Sequence, residues 1–466
     1  MTSGTTFRTD MSILIKNGIV VNPAGTMTAD VLTSGGRVSV AGQHSLNYKS
    51  DTVIDAAGMY ILPGGIDPHV HMHLPTAAGY SSDDFRSGSR AALFGGTTTI
   101  IDFVTPEKDE PLPVALEKRM KEAAISLTDY SFHVSPVGWR NNTPDEINEC
   151  IRMGVTSFKV YMAYKKTIGL DDEDIYKVMT AVGKSGGIVM VHCETGDEIE
   201  NLRDRYYRNN QTGPLYHALS RPANLEAAAV KKAIELAAKA DCPLYIVHVS
   251  SKESLNHIRQ ARANGQAVYA ETCPQYLLLD DSRYKGTFRQ TAPYVMSPPL
   301  RTTEDNQALW EALADGTLNT VGTDHCPFTM AQKETGKEDF RKIPGGAGGV
   351  EHRLSLLYTY GVLTNRLTFN QIVNLYSSAP AAIFGLSPQK GIMTAGSDAD
   401  LVIWNPEPES VISVKSHRMN CDINIYDGFP VKGRVEYVIR DGKVVIENER
   451  AESAASPGKY LFRTAE

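Results

Sequence analysis

The sequence predicts an α/β protein: a (β/α)8 TIM barrel with a small β-sandwich domain built from both chain ends. Three observations predict it. In the long central part, eight apolar strand-like segments alternate with amphipathic helices. The two ends carry β-branched runs broken by turn dipeptides. The out-of-place polar residues of the centre fall at or near the ends of its apolar segments, where barrels build their sites.

In chain order, residues 12 to about 62 read as short strands and turns. "ILIKNGIVV", "ADVLTSGGRVSVAG" and "TVIDAAGMYILPGG" are punctuated by Asn-Gly, Gly-Gly and Pro-Gly. The pattern returns in "GSDADLVIWNP" and in "VEYVIRDGKVVIENE", which contains an Asp-Gly hairpin turn. Between them come "GGIDPHVHM", "GTTTIIDFV", "YSFHVSPVGW", "VTSFKVYMAY", "GGIVMVHCE", "CPLYIVHVSS", "QAVYAETCPQYL" and "LNTVGTDHCPF" as barrel strands. The intervening "DDEDIYKVMTAVGKSGG" sets Ile175, Val178, Met179 and Val182 on one helical stripe, and "ANLEAAAVKKAIELAAKAD" is a second clear helix. The expected division is 1–63 and 391–466 for the two parts of the sandwich and 64–390 for the barrel, with 1–11 a disordered extension.

Length and composition set limits. The 466 residues suit one barrel of roughly 250–400 residues plus a small module. A net charge of −7 disfavours nucleic acid and anionic membrane as partners. No apolar run approaches the ~20 residues that span a bilayer, and the N-terminus lacks the apolar region of a secretory signal. Six widely spaced cysteines without a CxxC pair point to reduced, mostly buried thiols and a cytoplasmic location.

The stretch "IDPHVHMHL" puts His69, His71 and His73 on alternate positions, so a strand there would project all three from one face. His192, His248 and Asp324 end three further strand segments. One histidine after an apolar strand is usually a hydrogen-bonded core residue; four histidines and an aspartate at strand ends of one barrel indicate metal ligands. Lys159 lies inside the apolar "SFKVYMAY". Burying its ammonium without a partner costs several kcal/mol, so it is either ion-paired or a neutral amine. A neutral amine captures CO2 as a carbamate, which can bridge two cations.

"GGIDPHVH", "FKVYMAYK", "VHCE", "IVHVSS", "MSPPLR" and "GTDHCPF" resemble the cyclic amidohydrolases, in their dihydropyrimidinase/D-hydantoinase branch, over nearly the whole chain. The resemblance implies two divalent metal ions, usually zinc, with manganese or cobalt as substitutes. His69, His71 and Asp324 would hold one, His192 and His248 the other, with Lys159 as N6-carboxylysine between them. His73 would be a bystander, since the family motif stops at HxH. The implied reaction opens dihydropyrimidines (dihydrouracil, dihydrothymine) or 5-substituted hydantoins to the N-carbamoyl amino acid. Asp324 would carry the proton from attacking water to leaving nitrogen, and Tyr164 would stabilise the developing oxyanion. Ser297 and Gly345 would hold the cyclic imide, partly through the main chain; Gly345 stands where the family commonly has asparagine, and Thr195 is a smaller departure. Leu74 and Tyr161, with Phe103 beside them, are expected to face the ring substituent. Family members are commonly homotetramers.

Related enzymes fit less well. Dihydroorotases carry arginine where this chain has His73, and allantoinases continue with an Asn-Glu-Pro-type stretch unlike "MHLPTAAGY". Non-catalytic scaffold relatives have lost several metal ligands; this chain keeps all six.

Overall fold

The structure, a computed structural model, describes residues 11–42, 49–452 and 456–464. Apart from Met11, the extension expected at 1–11 lies outside the described residues.

All eight expected barrel strands are present: Gly65–Val70, Thr97–Val104, Asp129–Val134, Ser157–Tyr161, Ile188–His192, Leu244–Ile246, Val268–Thr272 and Thr320–Val321. Neighbours pair in parallel, in chain order. The circle closes where His71 N donates to His325 O at 2.8 Å, beside a parallel bridge from Val70 to His325. The first five strands are buried along their whole length. Helices cover one face and the barrel's own core the other, so these strands read as unbroken apolar runs rather than alternating ones. The helix Asp172–Lys184 buries the expected Ile175, Val178, Met179 and Val182. The helix Ala223–Ala240 stops at Asp241, whose φ of 47° is a left-handed cap.

The chain ends combine in one nine-stranded sheet. Its seam is Leu401–Val411 running antiparallel to Tyr60–Pro63, with Leu401 opposite Pro63. Ile13, Val31 and Ile61 from the first end share a core with Leu401, Ile403 and Ile439 from the other. Asp441 and Gly442 turn the hairpin between Pro430–Arg440 and Lys443–Glu447 with φ of 52° and 69°, the geometry an Asp-Gly pair favours.

The N-terminal ends of the barrel strands form a floor against this sheet. Lys390 is buried there, its Nζ 2.6 Å from Asp129, 2.6 Å from Asp400 and 3.0 Å from Asp398. The last described stretch runs under the barrel, with Tyr130 N donating to Lys459 O and Leu461 N to Tyr130 O. It inserts Arg463, fully buried, whose guanidinium donates to the Ser131 and Ser157 hydroxyls and to Phe132 O.

Candidate metal centre

The opposite rim of the barrel is built differently. His69, near the end of the first strand, faces Glu271 of the seventh, with Nδ1 2.6 Å from Oε1. That carboxylate places the proton on Nδ1 and leaves Nε2 as a lone pair, 3.3 Å from Asp324 Oδ1. His71 Nε2 lies 3.2 Å from the same oxygen. One ligand atom from each of His69, His71 and Asp324 falls within 4.8 Å of the others, a spacing that suits one cation.

His73 does not join them. The strand ends at Val70, and His73 adopts a φ of 48°, which breaks the alternation expected for all three histidines. Its Nδ1 meets Glu122 at 2.5 Å and its ring stacks on Tyr80 at 3.9 Å.

Across the rim, His192 Nδ1 and His248 Nε2 are 2.9 Å apart. Glu194 accepts from His192 Nε2 at 2.7 Å and is held by Arg221. The His248 ring stacks on His69 at 5.4 Å, joining the two halves. Lys159 points into the same space and makes no ion pair among the described residues; Phe103 and Tyr161 present ring faces to its Nζ at 4.8 and 5.2 Å.

Burial dominates the protonation of this cluster. It lowers the His71 pKa to about 4 and pulls His192 and His248 down as well, so these three imidazoles are neutral at neutral pH. It brings Lys159 down to about 8, against the pull of Asp324 and Glu271. Burial alone would raise Asp324, but His69, His71 and Lys159 outweigh it and hold its carboxyl at about 2. Buried nitrogens of His69 (Nε2), His71 (Nδ1) and His248 (Nδ1) make no hydrogen bond among the described residues. Unpaired buried imidazole nitrogens beside an ionised carboxylate fit divalent cations of the zinc, manganese or cobalt kind. The backbone is strained at the same place: Tyr164, His248 and Asp324 have φ of 60°, 38° and 51°. Such left-handed non-glycine residues cost on the order of 1–3 kcal/mol each and cluster at functional sites.

Over the cluster opens a cavity of about 1150 Å³. His69, His71, Lys159, His192, His248 and Asp324 form part of its wall, together with Tyr164, Ser297, Gly345, Leu74, Tyr161 and Phe103. Every residue given a metal or substrate role in the sequence lines this one space.

The chain matches the amidohydrolase family over residues 60–445. It is 42% identical to the D-hydantoinase of Geobacillus stearothermophilus, over 97% of each chain. It is 40% identical to the dihydropyrimidinase of Rattus norvegicus, over 97% of this chain and 88% of that protein. The crystal structure of dihydropyrimidinase from Brevibacillus agri NCHU1002 superposes with a TM-score of 0.96 at 41% identity, covering 98% of this chain and 99% of that one. The chain belongs to the amidohydrolase family, in its dihydropyrimidinase/D-hydantoinase branch.

Three features of this amidohydrolase's site went unread in the sequence. Glu271 orients His69, accepts the Tyr245 hydroxyl at 2.9 Å and receives the His248 amide at 3.3 Å, so one carboxylate steadies both halves. Its only signal was an acid inside the apolar "AVYAET". Arg221, which fixes Glu194 and lies 5.5 Å from the Tyr164 ring, gave none. Phe103 does more than line the substituent pocket: it stacks on His71 at 4.7 Å and packs on His69 at 4.8 Å.

Proposed function

We propose that this amidohydrolase opens the cyclic amide bond of dihydropyrimidines or 5-substituted hydantoins, giving the N-carbamoyl amino acid. The observation that carries the reading is the convergence of His69, His71 and Asp324 with the His192–His248 pair and Lys159, which has no ion pair among the described residues, under one cavity. The relatives named for both activities support the substrate class.

His69, His71 and Asp324 would hold one divalent ion and His192 and His248 the second, with Lys159, carbamylated by CO2, between them. Two such ions, most simply zinc, would supply Lewis acidity and lower the pKa of a bound water towards about 7. The rest falls to the chain's own side chains. With its pKa held at about 2, Asp324 is a carboxylate at neutral pH, able to take the attacking water's proton and return it to the leaving ring nitrogen. Burial raises the pKa of the Tyr164 hydroxyl, which therefore stays protonated and donates to the oxyanion as it forms. The Ser297 hydroxyl lies 3.5 Å from His217 Nε2 beside the cavity, and Gly345 faces it. Both would hold the imide edge of the ring, while Leu74 and Tyr161 meet its substituent.

The test is ring opening of dihydrouracil and of a 5-aryl hydantoin by zinc-loaded enzyme, compared as kcat/KM. Preference for dihydrouracil marks a dihydropyrimidinase, and preference for the aryl ring marks a hydantoinase with a roomy pocket. Turnover of neither overturns the reading. The same reading carries a homotetramer, checked by light scattering, a cytoplasmic location, and a division at residues 63/64 and 390/391.

A further inference from the structure

Lys333 sits on the short helix Met330–Glu334, outside the catalytic cavity, and is 1% exposed. It forms no ion pair among the described residues. Instead its Nζ donates to three main-chain carbonyls: Val295 O at 3.0 Å, Pro344 O at 2.8 Å and Gly346 O at 2.9 Å. An ammonium has three donors and no acceptor, so this set uses it completely. Burial draws the Lys333 pKa down to about 7, against the pull of the neighbouring Cys326 and Cys421.

The three acceptors lie on two separate loops, which Gly346 N also ties directly to Val295 O at 3.0 Å. An added Cβ on Gly345 would lie 4.0 Å from Ser297 Oγ, so the two loops present neighbouring residues to the cavity. In the first loop, side chains hold the carbonyls around Ser297. The Tyr284 hydroxyl takes Tyr294 O, Lys333 takes Val295 O, His217 takes Met296 O, and the Tyr276 hydroxyl takes Pro298 O. Ser297 O is left without a partner among the described residues. In the second loop, Lys333 holds the carbonyls on either side of Gly345, whose own N–H and C=O are unpaired among the described residues. Both loops are therefore tied at the flanks and free at the centre.

We infer that Lys333 is a positioning residue for substrate: one buried ammonium locks the Ser297 and Gly345 loops together, so that their unpaired main-chain groups face the cyclic imide in fixed register. The inference rests on the proposed ring-holding role of Ser297 and Gly345. It also accounts for glycine at position 345, because a clamp on both neighbours supplies the rigidity that glycine lacks.

The test is Lys333→Met in the zinc-loaded enzyme, with kcat, KM, metal content and hydrogen exchange of the 294–298 and 343–347 amides measured together. The expected result is faster exchange in both loops and KM raised about 10- to 100-fold, with kcat within about threefold and metal content unchanged. Lys333→Arg, which keeps the charge, should recover part of the KM loss; it replaces Lys333→Met if that variant does not fold. Unchanged exchange and unchanged KM overturn the clamp. Faster exchange with unchanged KM overturns instead the ring-holding role on which it rests. Joint loss of metal and kcat makes Lys333 a general structural residue and overturns the positioning role.

Discussion

Lys390 and Lys159 are both buried lysines of the same barrel, one at its floor and one at its rim. Lys390 is enclosed by Asp129, Asp400 and Asp398, and their charges push its pKa up despite its burial. Lys159 has aromatic faces around it and no carboxylate paired with it among the described residues, and its pKa falls to about 8. Burial acts on both in the same direction, so the difference lies in the partners. A buried cation given its counter-charges acts as a bolt between layers. One denied them has its pKa drawn towards neutrality, so that more of it is free amine and available for chemistry. The rim repeats this in its unpaired histidine nitrogens, whereas every guanidinium nitrogen of Arg463 at the floor has an acceptor.

Substitutions at the two ends sharpen the contrast. The largest effect is expected from Lys159→Met, which should lower kcat by about 10⁴-fold, or about 5 kcal/mol of barrier, while leaving thermal stability unchanged or higher. A variant that keeps a tenth of the activity places Lys159 outside the metal centre. Lys390→Met should do the reverse: it strands buried carboxylates and costs about 3–5 kcal/mol of stability, yet kcat per folded molecule stays within about twofold. Earlier thermal inactivation together with intact initial rates is the readout, and a stable but inactive Lys390→Met removes the distinction between the ends.

Tyr164→Phe should lower kcat about 10²- to 10³-fold with little change in KM, as expected for a donor aimed at developing charge. Glu271→Gln should weaken metal retention about 10- to 100-fold in a chelator titration, since it loosens His69 without removing a ligand. If metal affinity does not move, Glu271 belongs with the floor's structural charges. The smallest effect is expected at Gly345→Asn. A Cβ there meets nothing closer than 3.9 Å, so folding should be unaffected and KM should change by less than about threefold.

The barrel was legible because its strands are buried on both faces, so their apolar runs stand out and any polar residue inside them is conspicuous. Lys159 and His192 were visible for that reason. His73 shows the limit: a two-residue period cannot reveal that the strand has already ended at Val70. Glu271 was hidden because its meaning depends on His69, 202 residues away, and sequence spacing carries no information about that contact. Arg463 was unreadable for the same reason, directly following the short apolar run "YLF" with no period of its own. The matching of the two β-rich ends was visible as pattern, but the register of Leu401 on Pro63 was not.

The floor also has a consequence for how the protein is made. Ser131 and its guanidinium donor Arg463 are 332 residues apart. At translation rates of about 5–20 residues per second, roughly 15–65 s pass between the synthesis of the two. Through that interval the third and fourth strands exist without the side chain that seals them from below. The nascent barrel is thus a vessel open at its base until Arg463 has been made and docked.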